Sequence, residues 1–196
     1  GLSGGGKSTL MLNLLEEDGT RFVTNDRLLI ARQEEAVHAV GIPKMPRINP
    51  GTIVNNPRLL PLIDDASRTS LLRMEKSELW ELEQKYDANI LELYGEDRIQ
   101  HETKLHKFLI LNWQHDSTEQ VRVTRVDLAA RPDLLSAIMK PSGPFFIDAD
   151  GHFNRDDASP DVSGYIEQLT GVEVYEASGR VDFARLGAIC KNELMV

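Results

Sequence analysis

The chain has 196 residues, 27% charged and 41% hydrophobic, enough for one well-packed domain. Its formal net charge is −9, and no basic stripe carries interleaved aromatics, which argues against a nucleic-acid partner. Apolar runs such as KFLILNW are too short to span a bilayer, so no membrane partner is expected, and a single cysteine, Cys190, suits a reducing cytoplasm.

The chain opens on GLSGGGKST. Gly1, Gly6, Lys7 and Ser8 complete the pattern G-x-x-x-x-G-K-[ST]. Glycines let backbone N–H groups turn inward around an oxyanion, lysine adds a mobile charge, and the serine hydroxyl suits Mg²⁺. The residues that follow read as a helix with Leu10, Leu14 and Leu15 on it, so the loop feeds a helix N-terminus that favours anions. Nucleotide phosphate is the expected ligand. A strand normally precedes such a loop, so residue 1 reads as a cut in a longer protein.

Further along, Asp18-Gly19 reads as a turn, and residues 21–24 and 27–32 as strands with Asn25-Asp26 between them. The Pro- and Gly-rich residues 34–57 read as mostly extended or looped. Residues 76–95 read as one helix, with Leu79, Leu82, Tyr86, Ile90 and Leu93 at helical spacing, Ser77 as its start and Gly95 as its end. Residues 107–115 and 121–128 read as strands flanking the polar turn DSTE, a pair that suggests a mixed sheet. A short helix is expected over 131–140, a strand over 143–148, a helix over 161–171, a strand over 172–177 and a helix over 181–190, where Cys190 reads as a small buried hydrophobe. Alternating strands and helices indicate an α/β domain with a mixed sheet, single over residues 1–196.

Asp26 ends an apolar strand 19 positions after Lys7, where a carboxylate for Mg²⁺ is needed. Asp148, at the end of FFID, is its rival, although the loop that follows lacks the spacing of a Ca²⁺ site. Lys44 and Arg47, in a proline-spaced loop, fit either a phosphate-facing pair or ordinary solvated charges. His101 and His106 are five positions apart, which on a helix turns them away from a common metal, and no zinc site is expected.

The combination of GLSGGGKST, a helix and GTRFVTNDRLLI resembles the HPr kinase family, and more specifically the HPr-kinase-related proteins of bacteria. The nucleotide domain of phosphoenolpyruvate carboxykinase is similar, and the closing VEVYEASGRVDFARLGAIC is similar to the last strand and helix of such domains. The resemblance implies a P-loop kinase-like domain. It implies that Gly1, Ser3, Gly4, Gly5, Gly6, Lys7, Ser8 and Thr9 hold ATP, and that Ser8 and Asp26 hold Mg²⁺. Lys7, Asn25 and Asp26 would then be the catalytic group. Asn25 stands where the family's acidic pair begins with an aspartate acting as base, and an amide takes up no proton at neutral pH.

The expected function is an ATP- and Mg²⁺-dependent kinase that phosphorylates a hydroxyl of a protein or small-molecule acceptor. A nucleotide-binding regulatory or assembly module without transfer is the alternative that Asn25 favours. A homo-oligomer is compatible with either.

Overall fold

A computed structural model of the chain describes residues 1, 4–42, 44–140, 143–153 and 161–195. In chain order the elements are α1 (Lys7–Leu14), β1 (Leu28–Gln33), β2 (Ala36–Gly41), β3 (Arg47–Ile48), α2 (Pro50–Val54), α3 (Asp65–Leu71), α4 (Lys76–Glu81), β4 (Tyr86–Asp87), α5 (Ile90–Tyr94), β5 (Glu102–Lys104), β6 (Lys107–Leu111), β7 (Arg122–Arg125), α6 (Val162–Gln168), β8 (Glu173–Ser178) and α7 (Phe183–Ile189). The architecture is mixed α/β, with small sheets flanked by helices. Among the described residues no helix is long and apolar enough to cross a membrane.

The sheet that matters for the site is β6-β8-β7. β6 and β8 run parallel in the register Lys107↔Glu173 to Leu111↔Ala177, and β7 is antiparallel to β8. The sheet is therefore mixed, as the sequence suggests, but the two strands around DSTE are not neighbours, because β8 lies between them. Period-two alternation sends successive β6 side chains to opposite faces. Leu111 joins Leu10, Trp113, Ala177, Leu186 and Cys190 in one core, while Ile110 joins Leu128, Leu134, Leu135, Leu169 and Val174 in another. Cys190 is buried, as its position in an apolar helix implies.

A third core gathers Leu12, Leu15, Phe22, Ile48, Ile53, Leu59, Ala88 and Ile90. The helix α1 thus buries Leu10 on one side and Leu12, with the capping residue Leu15 that follows the helix, on the other. A helix clamped between two cores holds the loop at its N-terminus in a fixed place.

Several sequence expectations are corrected. Residues 21–24 form no strand; Phe22 makes a single parallel bridge to Ile99 while its side chain enters the third core. Residues 34–57 contain more regular structure than expected: β2 pairs with β1 as a hairpin from Leu28↔Gly41 to Gln33↔Ala36, and α2 follows. Residues 76–95 are not one helix. α4 starts at the cap Glu75 rather than Ser77 and ends at Leu82, which is extended. The chain then pairs Tyr86 with Ile48 and Asp87 with Arg47, and Asn89 starts α5 by accepting from the Leu91 N–H at 3.1 Å. Ala88 and Ile90 are fully buried in this way, so packing against the third core overrides helix propensity. Gly95 does end α5.

Residues 131–140 give only a 3-10 turn over Pro132–Ala137. Residues 143–148 give a 3-10 turn, Gly143–Phe145, and one bridge, Ile147↔Phe153, instead of a strand. Asp148 accepts there from the N–H groups of Asp150 (3.0 Å) and His152 (2.8 Å), closing a tight local turn that leaves no length for sheet pairing.

Candidate functional site

The glycine loop lies at the carboxyl end of β6. Gly1 is against the Leu111 carbonyl, which stands 3.0 Å from where a Cβ on Gly1 would be. The carboxyl ends of parallel strands are the usual place for a ligand crevice in α/β proteins. Gly4 and Gly6 have φ of 75° and 78°, the left-handed region that a glycine enters without steric cost. Among the described residues, a Cβ at Gly4 would meet nothing within 4 Å. Gly6 is the opposite case: a Cβ there would lie 2.6 Å from Phe183 Cζ and 3.2 Å from Trp113 Cζ2.

Those two rings form a platform beneath the loop. Trp113 and Phe183 meet edge to face with centroids 4.9 Å apart. The Trp113 indole N–H donates to the Gly5 carbonyl at 3.0 Å. One loop carbonyl is thereby pulled down onto the core. Gly6 caps α1, whose first turn has no side-chain cap and no acidic residue. The field at this helix end is accordingly open to an anion.

The hydroxyls of Ser8 and Thr9 are engaged within the chain. The Ser8 hydroxyl donates to Asn25 Oδ1 at 2.8 Å. Thr9 shares a 2.7 Å hydroxyl contact with Thr52 of α2, which turns Thr9 toward the helices. Ser3 lies outside the described residues.

Asp26, next to Asn25, is exposed and ringed by ammonium groups. Lys140 Nζ is 3.3 Å from its Oδ1, and Lys44 Nζ is 4.0 Å from its Oδ2. Burial, and then the Lys140 charge, hold the Lys7 ammonium below the ordinary lysine range, while the Asp26 carboxylate opposes that shift. Lys7, Asn25, Asp26 and Lys140 line one cavity of about 550 Å³ whose other walls are mostly apolar. A cavity of this size, with a few convergent polar groups, suits a small-molecule ligand.

The sequence-predicted residues thus divide. Gly1, Lys7, Asn25 and Asp26 converge on the cavity, and Ser8 touches Asn25. Lys44 reaches Asp26, whereas Arg47 pairs with Asp87 at 3.4 Å in the β3-β4 ribbon. Asp148 is engaged with the amides of its own turn. Trp113, Phe183, Thr52 and Lys140 escaped sequence reading. The tryptophan two residues after the KFLIL strand was the one local signal, and nothing near Lys140 distinguishes it from a surface lysine.

Chemically, the site offers glycine amides and a helix end for an anion, a lysine beside them, and a carboxylate with a nearby hydroxyl of the kind a hard cation takes. The chain matches no family model, and neither a curated protein nor a solved structure matches it.

Proposed function

We propose that the chain is an ATP- and Mg²⁺-dependent kinase of the HPr-kinase-like P-loop type, transferring a phosphoryl group to a hydroxyl of a protein or small-molecule acceptor. The observation that carries this reading is the convergence of Gly1, Lys7 and Asp26 on one cavity at the carboxyl end of β6, beside a loop whose Gly4 and Gly6 are left-handed. Phosphoryl transfer asks the protein mainly for positioning and charge neutralisation, so these groups supply most of what is needed.

In this reading the loop amides and Lys7 hold the phosphates. Ser8 and Asp26 hold Mg²⁺, which supplies neutralisation of charge on the phosphate oxygens when bound. Ser8 would exchange its bond to Asn25 for that role, and Asp26 would exchange its lysines. Trp113 and Phe183 keep the loop from collapsing when the cavity is empty of anion. Asn25 orients but takes no proton. The acceptor oxygen would therefore attack the γ-phosphorus without a strong base while the bond to the ADP oxygen breaks and the hydroxyl proton passes to a phosphoryl oxygen or to water, which a loose transition state tolerates.

The second reading is a nucleotide-binding regulatory or assembly module without transfer. The amide at position 25 favours it, since the side chain that would serve as base is neutral and bonded to Ser8. Incubation of the chain with γ-labelled ATP and a cell extract separates the two. Label on a protein or metabolite supports the kinase; bound nucleotide with no transferred label supports the regulator.

A further inference from the structure

We propose that the apolar length of this cavity is a slot for a β-strand: an extended, apolar peptide segment joined to Gly1 that pairs with the free edges of β6 and β1. The slot is defined by backbone edges and stands independently of the kinase reading.

The cavity lining separates a pocket on a sheet face from a slot along a sheet edge. Side chains alternate between the two faces of a strand, so a pocket on one face is lined by every second residue. Here the successive residues Leu28, Leu29 and Ile30 of β1 line the cavity, and so do Phe108, Leu109 and Leu111 of β6. Phe108 and Leu109 pack into different cores, on opposite faces of the mixed sheet. The cavity therefore wraps around the edges of both strands. Among the described residues β1 ends the order β1-β2-β5 and β6 ends the order β6-β8-β7, so no described strand pairs with either edge.

The backbone directions agree. The Asn112 N–H donates to the Ala177 carbonyl and the Glu173 N–H to the His106 carbonyl, both at 2.9 Å. Alternate residues of a paired strand direct their backbone groups to opposite sides, so Leu109 and Leu111 direct theirs away from β8. On β2, the Gly41 N–H donates to the His101 carbonyl and the Val37 carbonyl accepts from the Leu105 N–H, both at 2.8 Å. Gly41 and Ala39 thus face β5, and their register partners Leu28 and Ile30 face away from β2. The next residue of that set, Arg32, shows the direction: its N–H leaves the sheet for Gln168 Oε1 at 2.8 Å. Unpaired backbone groups beside an apolar cavity are costly, and a peptide strand supplies donors and acceptors at their spacing.

The strand ends at Gly1. The Leu111 carbonyl stands 3.0 Å from where a Cβ on Gly1 would be, at the carboxyl end of the β6 edge. Burial, and then the charges of Lys7 and Lys140, pull a Gly1 ammonium down to about 5, so this nitrogen is better hosted as an uncharged amide. A segment joined there and laid along β6 runs parallel to it, for about five residues. Leu10 and Leu14 wall the cavity on one side, and Ile138 and Leu169 on the other. Both faces of the strand are then buried, which calls for a continuous apolar run rather than an alternating one. Lys7 and Lys140 gather at the Gly1 end, so the strand leaves the polar end of the cavity open. Pairing along both edges would join the two sheets in the order β5-β2-β1-added strand-β6-β8-β7.

The test is amide hydrogen exchange on the 196-residue chain, on the chain extended before Gly1 by about five alternating valines and isoleucines, and on the same extension with proline at its centre. The free valine-isoleucine peptide, carrying a lysine tag for solubility, is also added to the unextended chain. The valine-isoleucine extension is expected to slow exchange at the Leu28, Ile30, Leu109 and Leu111 amides about a hundredfold and to raise the melting temperature by several degrees. The free peptide at millimolar concentration should protect the same amides more weakly, and the proline extension should leave them unprotected. No protection by the extension, or equal protection by its proline form, would overturn the proposal. Protection by the free peptide but not by the extension would overturn it as well, by giving the slot to a strand of another polypeptide.

Discussion

The Ser8 hydroxyl donates to the side-chain oxygen of Asn25 at 2.8 Å, so in the proposed kinase the residue in the base position would face the hydroxyl that would take Mg²⁺. This relationship links the two halves of the site, the loop and the segment after residue 21. It also gives Asn25 a use that does not require a titratable group. An amide oxygen can accept the serine hydroxyl, as a carboxylate can, but adds no charge beside Asp26.

Asn25→Asp is expected to keep the Ser8 bond and to bring a second carboxylate next to Asp26. Repulsion between the two raises the pKa of one of them until a cation offsets it. Mg²⁺-dependent ATP binding should therefore strengthen about tenfold while binding in EDTA weakens. Isothermal titration with and without Mg²⁺ checks this. A change of equal size and sign in both media would show that Asn25 does not face the metal position.

The two left-handed glycines should behave differently when substituted. Gly6→Ala meets Phe183 at 2.6 Å on top of its unfavourable φ, and is expected to cost about 2–4 kcal/mol of stability. Gly4→Ala carries the backbone penalty, about 1–2 kcal/mol, because none of the described residues lies within 4 Å of the added methyl group. Urea unfolding of both variants measures the difference. Gly4→Ala should still lower ATP affinity, since its methyl group projects into the space that the phosphates would occupy.

Glu34 is the one non-glycine residue with positive φ among those described, at 54° in the turn between β1 and β2. Glu34→Gly is expected to raise stability by about 0.5–1 kcal/mol, the relief of the strained conformation less the added entropy of the unfolded chain. A chemical denaturation midpoint that falls instead would mean that the turn is not left-handed in solution.

Glu176 is a buried carboxylate on β8. It accepts from Arg131 at 2.7 Å and from the Asn112 amide at 2.6 Å. Its bonds to Arg131 hold it below its ordinary value of 4.5. A carboxylate lowered in the folded state stabilises the protein above that ordinary value, and the contribution disappears as pH falls through the lower folded-state value. Glu176→Ala should cost about 2–3 kcal/mol at pH 7 by stripping Arg131 and Asn112 of a partner. The loss relative to wild type should shrink below pH 4. Melting curves across pH 3–7 provide the comparison.

The parts legible in the sequence were those written in local chemistry. The glycine loop, the helix behind it and the apolar strands of residues 107–111 and 173–178 each carry their signal within a few residues. The β1-β2 hairpin was hidden because its turn is Glu34-Glu35, without the glycine or asparagine that marks such turns. The break inside residues 76–95 was hidden because Leu79, Tyr86 and Ile90 keep helical spacing even though a strand separates the two helices. The order β6-β8-β7 rests on pairing across about fifty to sixty-six residues, and Lys140 meets Asp26 across 114. No pattern inside either segment announces such a meeting.

The central claim is that the loop from Gly1 to Thr9 holds nucleotide phosphate through Lys7. Calorimetric titration of ATP with Mg²⁺ into the wild-type chain and into Lys7→Ala tests it most directly, with thermal melting to verify that the variant is folded. The account predicts saturable binding to the wild type and a loss of at least about a hundredfold in Lys7→Ala at little change in melting temperature. Equal affinity in the two proteins, or no binding by the folded wild type, would contradict it.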